Sequence, residues 1–389
     1  MLNKRIVRTI LALSLAPSVA GTASAQDTIK LGMIMPLTGA LATAGQQVVA
    51  GARLYMSQHG DMVAGKRIEL MVKDDASSAE TGKRLIQESI VNDKVDIVGG
   101  GLTADLLASA ALITEAKKPT VIMLSSTTAV IDKSPFFVRA SCTLAQSSAI
   151  MADWAMRNGL GKAVTLVTDF APGQEAEMTF TDNYKAAGGQ IVEAIRIPLR
   201  SPDFAPFLQR VHDAAPQLLF VFIPSVQAAT FAKQFVERGL DKAGIKLIGP
   251  GDLTDDAALP GMGDAMLGVV TAHFYSAMHP SALNKAFAGE YQKQNNSRAN
   301  FMAVSGYDGM HLIYEALKKT GGSADGEALV AAMKGISWES PRGPMSIDAN
   351  TGDVVHNIYI RKVEKVNGEL DNVEFTTFSN VRDPRAAAK

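Results

Sequence analysis

The stretch from Asp96 to Ala108, DIVGGGLTADLLA, satisfies the spacing G-x-G-x-x-G/A through Gly99, Gly101 and Ala104. It follows the apolar run VDIV and precedes LLASAALI, which is helix-like. Glycines in such a turn let backbone approach a ligand, and the first N–H groups of the following helix have no partner within it. Together they can hold an anion. A dinucleotide loop also needs an acidic residue about 20 positions on, where the next strand ends, to bind the ribose. Here that run, TVIMLSS, ends in Ser125-Ser126-Thr127-Thr128, and the next acid is Asp132. The loop also follows the third strand-like run rather than the first. Both departures disfavour a nucleotide. What survives is a set of uncharged donors, backbone N–H groups with the hydroxyls of Thr103 and Ser125–Thr128, suited to a small carboxylate. Thr103 as a helix N-cap and the serines as turn formers would be compatible with that role.

Other chemistry lacks a signature. The six histidines (59, 212, 273, 279, 311 and 356) form no H-x-x-x-H pair, and the single cysteine, Cys142, gives neither a metal cluster nor an internal disulfide. Cys142 is expected to be a buried small residue. No G-x-S-x-G elbow occurs. Thr81-Gly82-Lys83 resembles the end of a P-loop, but Ser77 stands where its first glycine belongs. The adjacent acids Asp74-Asp75 and Asp255-Asp256 suit strand ends or helix starts better than acid–base work. No catalytic residue, metal or cofactor is assigned, and a non-enzymatic protein is expected.

The elements that must carry the loops are legible as alternating runs. Strand-like segments occur at 29–35, 68–75, 95–100, 120–126, 163–169, 190–197, 218–224 and 245–250, with amphipathic helix-like stretches between them. Such alternation predicts an α/β protein with doubly wound parallel sheets. Ligands then gather at the carboxyl ends of the strands. The rhythm pauses near Cys142 and changes again near 275, and the tail beyond Trp338 turns strand-rich. Lys4, Arg5 and Arg8 precede a short apolar core and Ala23-Ser24-Ala25, the pattern of a secretory cleavage site, so residues 1–25 are expected to be a cleaved signal peptide. Their removal leaves 35 basic against 39 acidic residues, net −4, which argues against nucleic acid. No later apolar run approaches membrane-spanning length.

Taken in order, IKLGMIMPLTGALATAGQQVVAGARL, IELMVKDDASSAETGKRLIQESIVNDKVDIVGGG, TLVTDFAPGQEAE, RSPDFAPFLQRV, KLIGPGDLTDD and SPRGPMSIDANTGDVVHNIYI run from about Asp27 to the C-terminus. This series resembles the leucine/isoleucine/valine-binding family of periplasmic solute-binding proteins. The resemblance implies the type I periplasmic binding protein fold, two doubly wound parallel-sheet lobes joined by a three-strand hinge. The lobes would be 26–142 with 275–345, and 143–274 with 346–389. It further implies a periplasmic monomer that closes on one solute and presents it to an ABC permease in the inner membrane, with Thr103, Ser125, Ser126 and Thr127 on the ligand carboxylate. Leu102 and Ser77 stand where relatives often carry a disulfide. Ala44 replaces a tyrosine and leaves space. In the second lobe Pro224 lies near a tyrosine position, and Gly251 takes the position of an acid, with Asp252 one residue later. Phe170, Phe301 and Tyr307 are expected as apolar walls.

Two ligand classes stay open. An amino acid needs a carboxylate for its ammonium, because a buried unpaired cation costs several kcal/mol. Asp252 would supply it. If Asp252 points away, a non-amino acid such as an aromatic acid is preferred. A solute sensor for a signalling receptor is the alternative to a transport component.

Overall fold

The computed structural model describes residues 28–200 and 203–385; the expected signal peptide lies outside them. The first part of the chain alternates β1 (Thr28–Met35), α1 (Ala42–His59), β2 (Met62–Val63), β3 (Lys66–Asp74), α2 (Ala79–Val91), β4 (Ile97–Gly100), α3 (Thr103–Glu115), β5 (Thr120–Ile122) and β6 (Phe137–Arg139). These strands form one sheet in the order β2-β3-β1-β4-β5-β6, parallel except for β2. The chain then runs through α4 (Leu144–Arg157), β7 (Lys162–Thr168), α5 (Ala171–Ala186), β8 (Gln190–Ile197), α6 (Ala205–Ala214), β9 (Leu218–Phe222), α7 (Ser225–Glu237), β10 (Lys246–Pro250) and β11 (Val270–His273). It returns to the first lobe as α8 (Ala282–Asn295), α9 (Phe301–Lys319) and α10 (Gly326–Met333), and ends with β12 (Ser337–Ser340), β13 (Gly343–Ile347), β14 (Val354–Val366) and β15 (Glu369–Val381).

The second sheet reads β12-β13-β14-β11-β10-β9-β7-β8, with β15 on β14. From β11 to β8 it is parallel; the C-terminal strands join antiparallel. The hairpin β12–β13 spans residue 345 and extends this second sheet through β13 and β14. All eight strand-like runs form strands. The run 120–126 is shortened, because beyond Ile122 the chain bends: the N–H of Met123 donates to Gly100 and that of Ser125 to Gly101.

Continuous apolar runs such as LLFVF of β9 are buried on both faces, as helix-covered parallel sheets require. The first lobe's helices α1 and α9 cross closely at Gly51 and Gly306. A β-carbon at Gly51 would be driven into the Ala303 carbonyl, and one at Gly306 into the carbonyl of Val48. Three segments pass between the lobes: Ala140–Thr143, the link from β11 to α8, and the link from α10 to β12.

Candidate ligand cleft

A cavity of about 350 Å³ lies between the two sheets. Its wall follows the carboxyl ends of the parallel strands: Ser77 and Ala79 after β3, Leu102–Ala104 after β4, Leu124–Ser126 after β5, Phe170–Pro172 after β7, Leu199 after β8, Pro224–Val226 after β9 and Asp252 after β10. Leu41, Ala44, Leu107, Phe222 and Met302 complete it. Parallel strands all end on the same side, so their loops converge there without further instruction.

The glycine turn acts through backbone conformation. Gly100 and Gly101 adopt φ of 86° and 83°, in the left-handed region. A β-carbon on Gly100 would lie 2.7 Å from the Ile34 carbonyl oxygen. The turn starts α3 at Thr103, whose Oγ1 lies 2.7 Å from Ser125 Oγ and 3.1 Å from Thr127 Oγ1. Three hydroxyls from two loops thus form one buried cluster. Ser77 Oγ donates to Thr38 O (2.9 Å) and accepts from Leu41 N (3.1 Å), which pins the loop before α1 against the loop after β3.

Of the residues singled out in the sequence, Ala44, Leu102, Thr103, Ser125, Ser126, Phe170 and Asp252 line the cavity. Thr127 stands behind it, bonded to Thr103. Phe301 lines instead a small neighbouring void with Cys142, Ser126 and Asp252. Tyr307 packs edge-on against Tyr55 and Phe287. Sequence reading missed Leu41, Leu107, Leu199, Phe222, Val226 and Met302 as walls; only their place at or just past a strand end, or at the start of a helix facing the cavity, signals the role. Phe170 and Phe222 stack with centroids 6.0 Å apart.

The electrostatics favour an anion. Helices α1, α2, α3, α5 and α7 present their first residues to the cavity, each with the positive end of its dipole. No lysine or arginine lines it, and its one carboxylate is Asp252, 8% exposed, whose pKa burial pushes up to about 7. The lining also holds no histidine or cysteine. Among the described residues no group of three His, Cys, Asp or Glu side chains is placed to hold a metal. Cys142 is buried and its thiol is raised to about 12, mainly by desolvation.

Two lobes facing one another across a cleft at their strand ends, walled by apolar side chains and hydroxyls, are the architecture of a solute-binding protein. Residues 28–369 match the family described as periplasmic binding protein, and the chain belongs to that family. A Leu/Ile/Val-binding protein homologue of Brucella suis is 38% identical over 99% of this chain and 100% of its own length. A solute-binding protein of an ABC transporter from Rhodopseudomonas palustris BisB5, solved with 3,4-dihydroxybenzoic acid, is 57% identical, with a TM-score of 0.91 over 92% of this chain and 99% of that one. Another from R. palustris, solved with 4-hydroxybenzoate, is 36% identical, with a TM-score of 0.89 over 93% and 100%. The protein is the solute-binding component of an ABC transporter and not an enzyme.

Proposed function

We propose that the cleft captures an aromatic carboxylic acid of the hydroxybenzoate class in the periplasm, after removal of residues 1–25, and delivers it to an inner-membrane permease. The observation that carries this reading is the chemistry of the cavity wall: a stacked Phe170–Phe222 pair among aliphatic side chains, five helix N-termini, and a single carboxylate. The ligand carboxylate sits on Thr103, Ser125 and Ser126, and the ring lies between the apolar walls. Asp252, pushed up to about 7 by burial, can exchange hydrogen bonds with a ring hydroxyl. An ammonium would have to be matched by this one carboxylate, which burial already disfavours as an anion. The R. palustris protein at 57% identity, solved with a dihydroxybenzoic acid, supports the same class.

A thermal-shift and calorimetric panel of 3,4-dihydroxybenzoate, 4-hydroxybenzoate, benzoate, leucine, isoleucine and valine tests it. A ligand at a hundred times its Kd stabilises by about 2.7 kcal/mol, enough to read as a shift in melting temperature. The benzoates are expected to raise it and leucine is not. Leucine binding without benzoate binding overturns the aromatic assignment.

A further inference from the structure

Behind the hydroxyl cluster lies Arg139, 0% exposed, at the end of β6. Its Nη1 donates to the carbonyl of Ser125 (2.7 Å) and its Nη2 to that of Thr127 (2.9 Å). Its Nε donates to Asp353 Oδ1 (2.8 Å), in the loop between β13 and β14. Ser141 Oγ supplies a second donor to the Ser125 carbonyl at 2.9 Å. All peptide bonds described are trans, so a carbonyl aimed at Arg139 turns the next N–H the opposite way. Thr128 obeys this: its N–H leaves Arg139 and meets both oxygens of Glu175, at 2.9 and 3.0 Å. By the same rule the N–H of Ser126 is turned away from Arg139, and Ser126 lines the cavity.

We infer that Arg139 is a positioning residue for ligand capture: by holding the Ser125 carbonyl it aims the Ser126 N–H at the ligand carboxylate, and through Asp353 it ties that loop to the chain entering β14. The inference rests on the proposed carboxylate ligand. A guanidinium is suited to the task because its planar fork reaches two carbonyls and a carboxylate at once, whereas a lysine ammonium has no such geometry. Its charge also polarises the Ser125–Ser126 peptide, strengthening the Ser126 N–H as a donor in a low-dielectric setting. Sequence alone assigns Arg139 neither to a strand nor to this role.

The test compares 3,4-dihydroxybenzoate with its neutral amide, 3,4-dihydroxybenzamide, by calorimetry on the wild type and on Arg139→Lys, Asp353→Asn and Ser141→Ala. Loss of an aimed charge-assisted donor weakens the acid by about tenfold and the amide much less, so acid-over-amide selectivity falls. A purely structural role would weaken both ligands by the same factor, and that result overturns the inference, as does unchanged selectivity in Arg139→Lys. If Arg139→Lys does not fold, the milder Asp353→Asn and Ser141→Ala decide by the same ratio: reduced selectivity supports the inference and unchanged selectivity overturns it. Should the wild type bind leucine and no benzoate, the aromatic assignment fails, and the same variants are compared with leucine against leucinamide.

Discussion

Thr103 Oγ1 and Ser125 Oγ lie 2.7 Å apart, joining the start of α3 to the turn after β5 across 22 residues of sequence. With Thr127 behind them, these hydroxyls can share protons among themselves when the cleft is empty and redirect them to a carboxylate when it is filled. Thr103→Ala removes the member common to both contacts. Affinity for 3,4-dihydroxybenzoate is expected to fall by roughly 1–3 kcal/mol, with little change in melting temperature of the free protein. Isothermal calorimetry measures the first and differential scanning calorimetry the second. Unchanged affinity would remove Thr103 from the site.

Asp252 separates the two ligand classes. In Asp252→Asn the affinity for unsubstituted benzoate is expected to stay within about twofold, while the advantage of 3,4-dihydroxybenzoate over benzoate shrinks by about tenfold, the worth of one hydrogen bond to a charged group. Competition binding with both acids gives the ratio. A variant that loses leucine binding while keeping the benzoate ratio intact points to an ammonium at this position.

Stability should fall with rising pH through a buried acid pair beneath the cleft floor. Asp105, in the first turn of α3, and Asp75, after β3, are both fully buried. Desolvation first, and then the charge of Asp75, pushes Asp105 up to about 8; desolvation raises Asp75 as well. The folded state therefore holds protons that the unfolded chain, with an ordinary carboxylate near 3.8, gives up. The sign follows: this contribution is complete below about pH 4 and is lost as pH rises through 8. Chemical unfolding between pH 6 and 8.5 should show a declining ΔG, and Asp105→Asn should flatten the slope. An equal slope in both proteins would refute the assignment.

The α1–α9 crossing tolerates no side chain at Gly51 or Gly306. Gly51→Ala is expected to force the helices apart at a cost of about 1–3 kcal/mol, the usual range for overpacking. Urea unfolding reads the loss. Because α1 and α9 also carry Ala44 and Met302 of the cavity wall, and Gly51 meets Ala303 beside Met302, ligand affinity is expected to fall with stability, as calorimetry on the folded variant would read.

Much of the architecture is local and therefore legible in sequence. Runs such as IKLGMIM, AVTLVTD and LLFVF are short and apolar throughout and alternate with amphipathic helical stretches, which marks them as strands buried on both faces, and all eight such runs pair in the sheets. The glycine turn before α3 and the hydroxyls after β5 could be assigned to one crevice because parallel strands end on one side. The short strands β2 and β6 were not legible, since two or three residues carry no period.

What the amino-acid sequence determined by itself was where the site lies, in hydroxyl-bearing loops and helix starts at the carboxyl ends of parallel strands. Tertiary structure decided the rest, because it depends on contacts between residues far apart in the chain. Phe170 meets Phe222 across 52 positions, Arg139 meets Asp353 across 214, and Thr127 ends up supporting Thr103 rather than facing the cleft. Residue type and spacing say which groups could bind a carboxylate. Which of them face the cavity, and which hold others in place from behind, is set by how the loops pack once the sheets have formed.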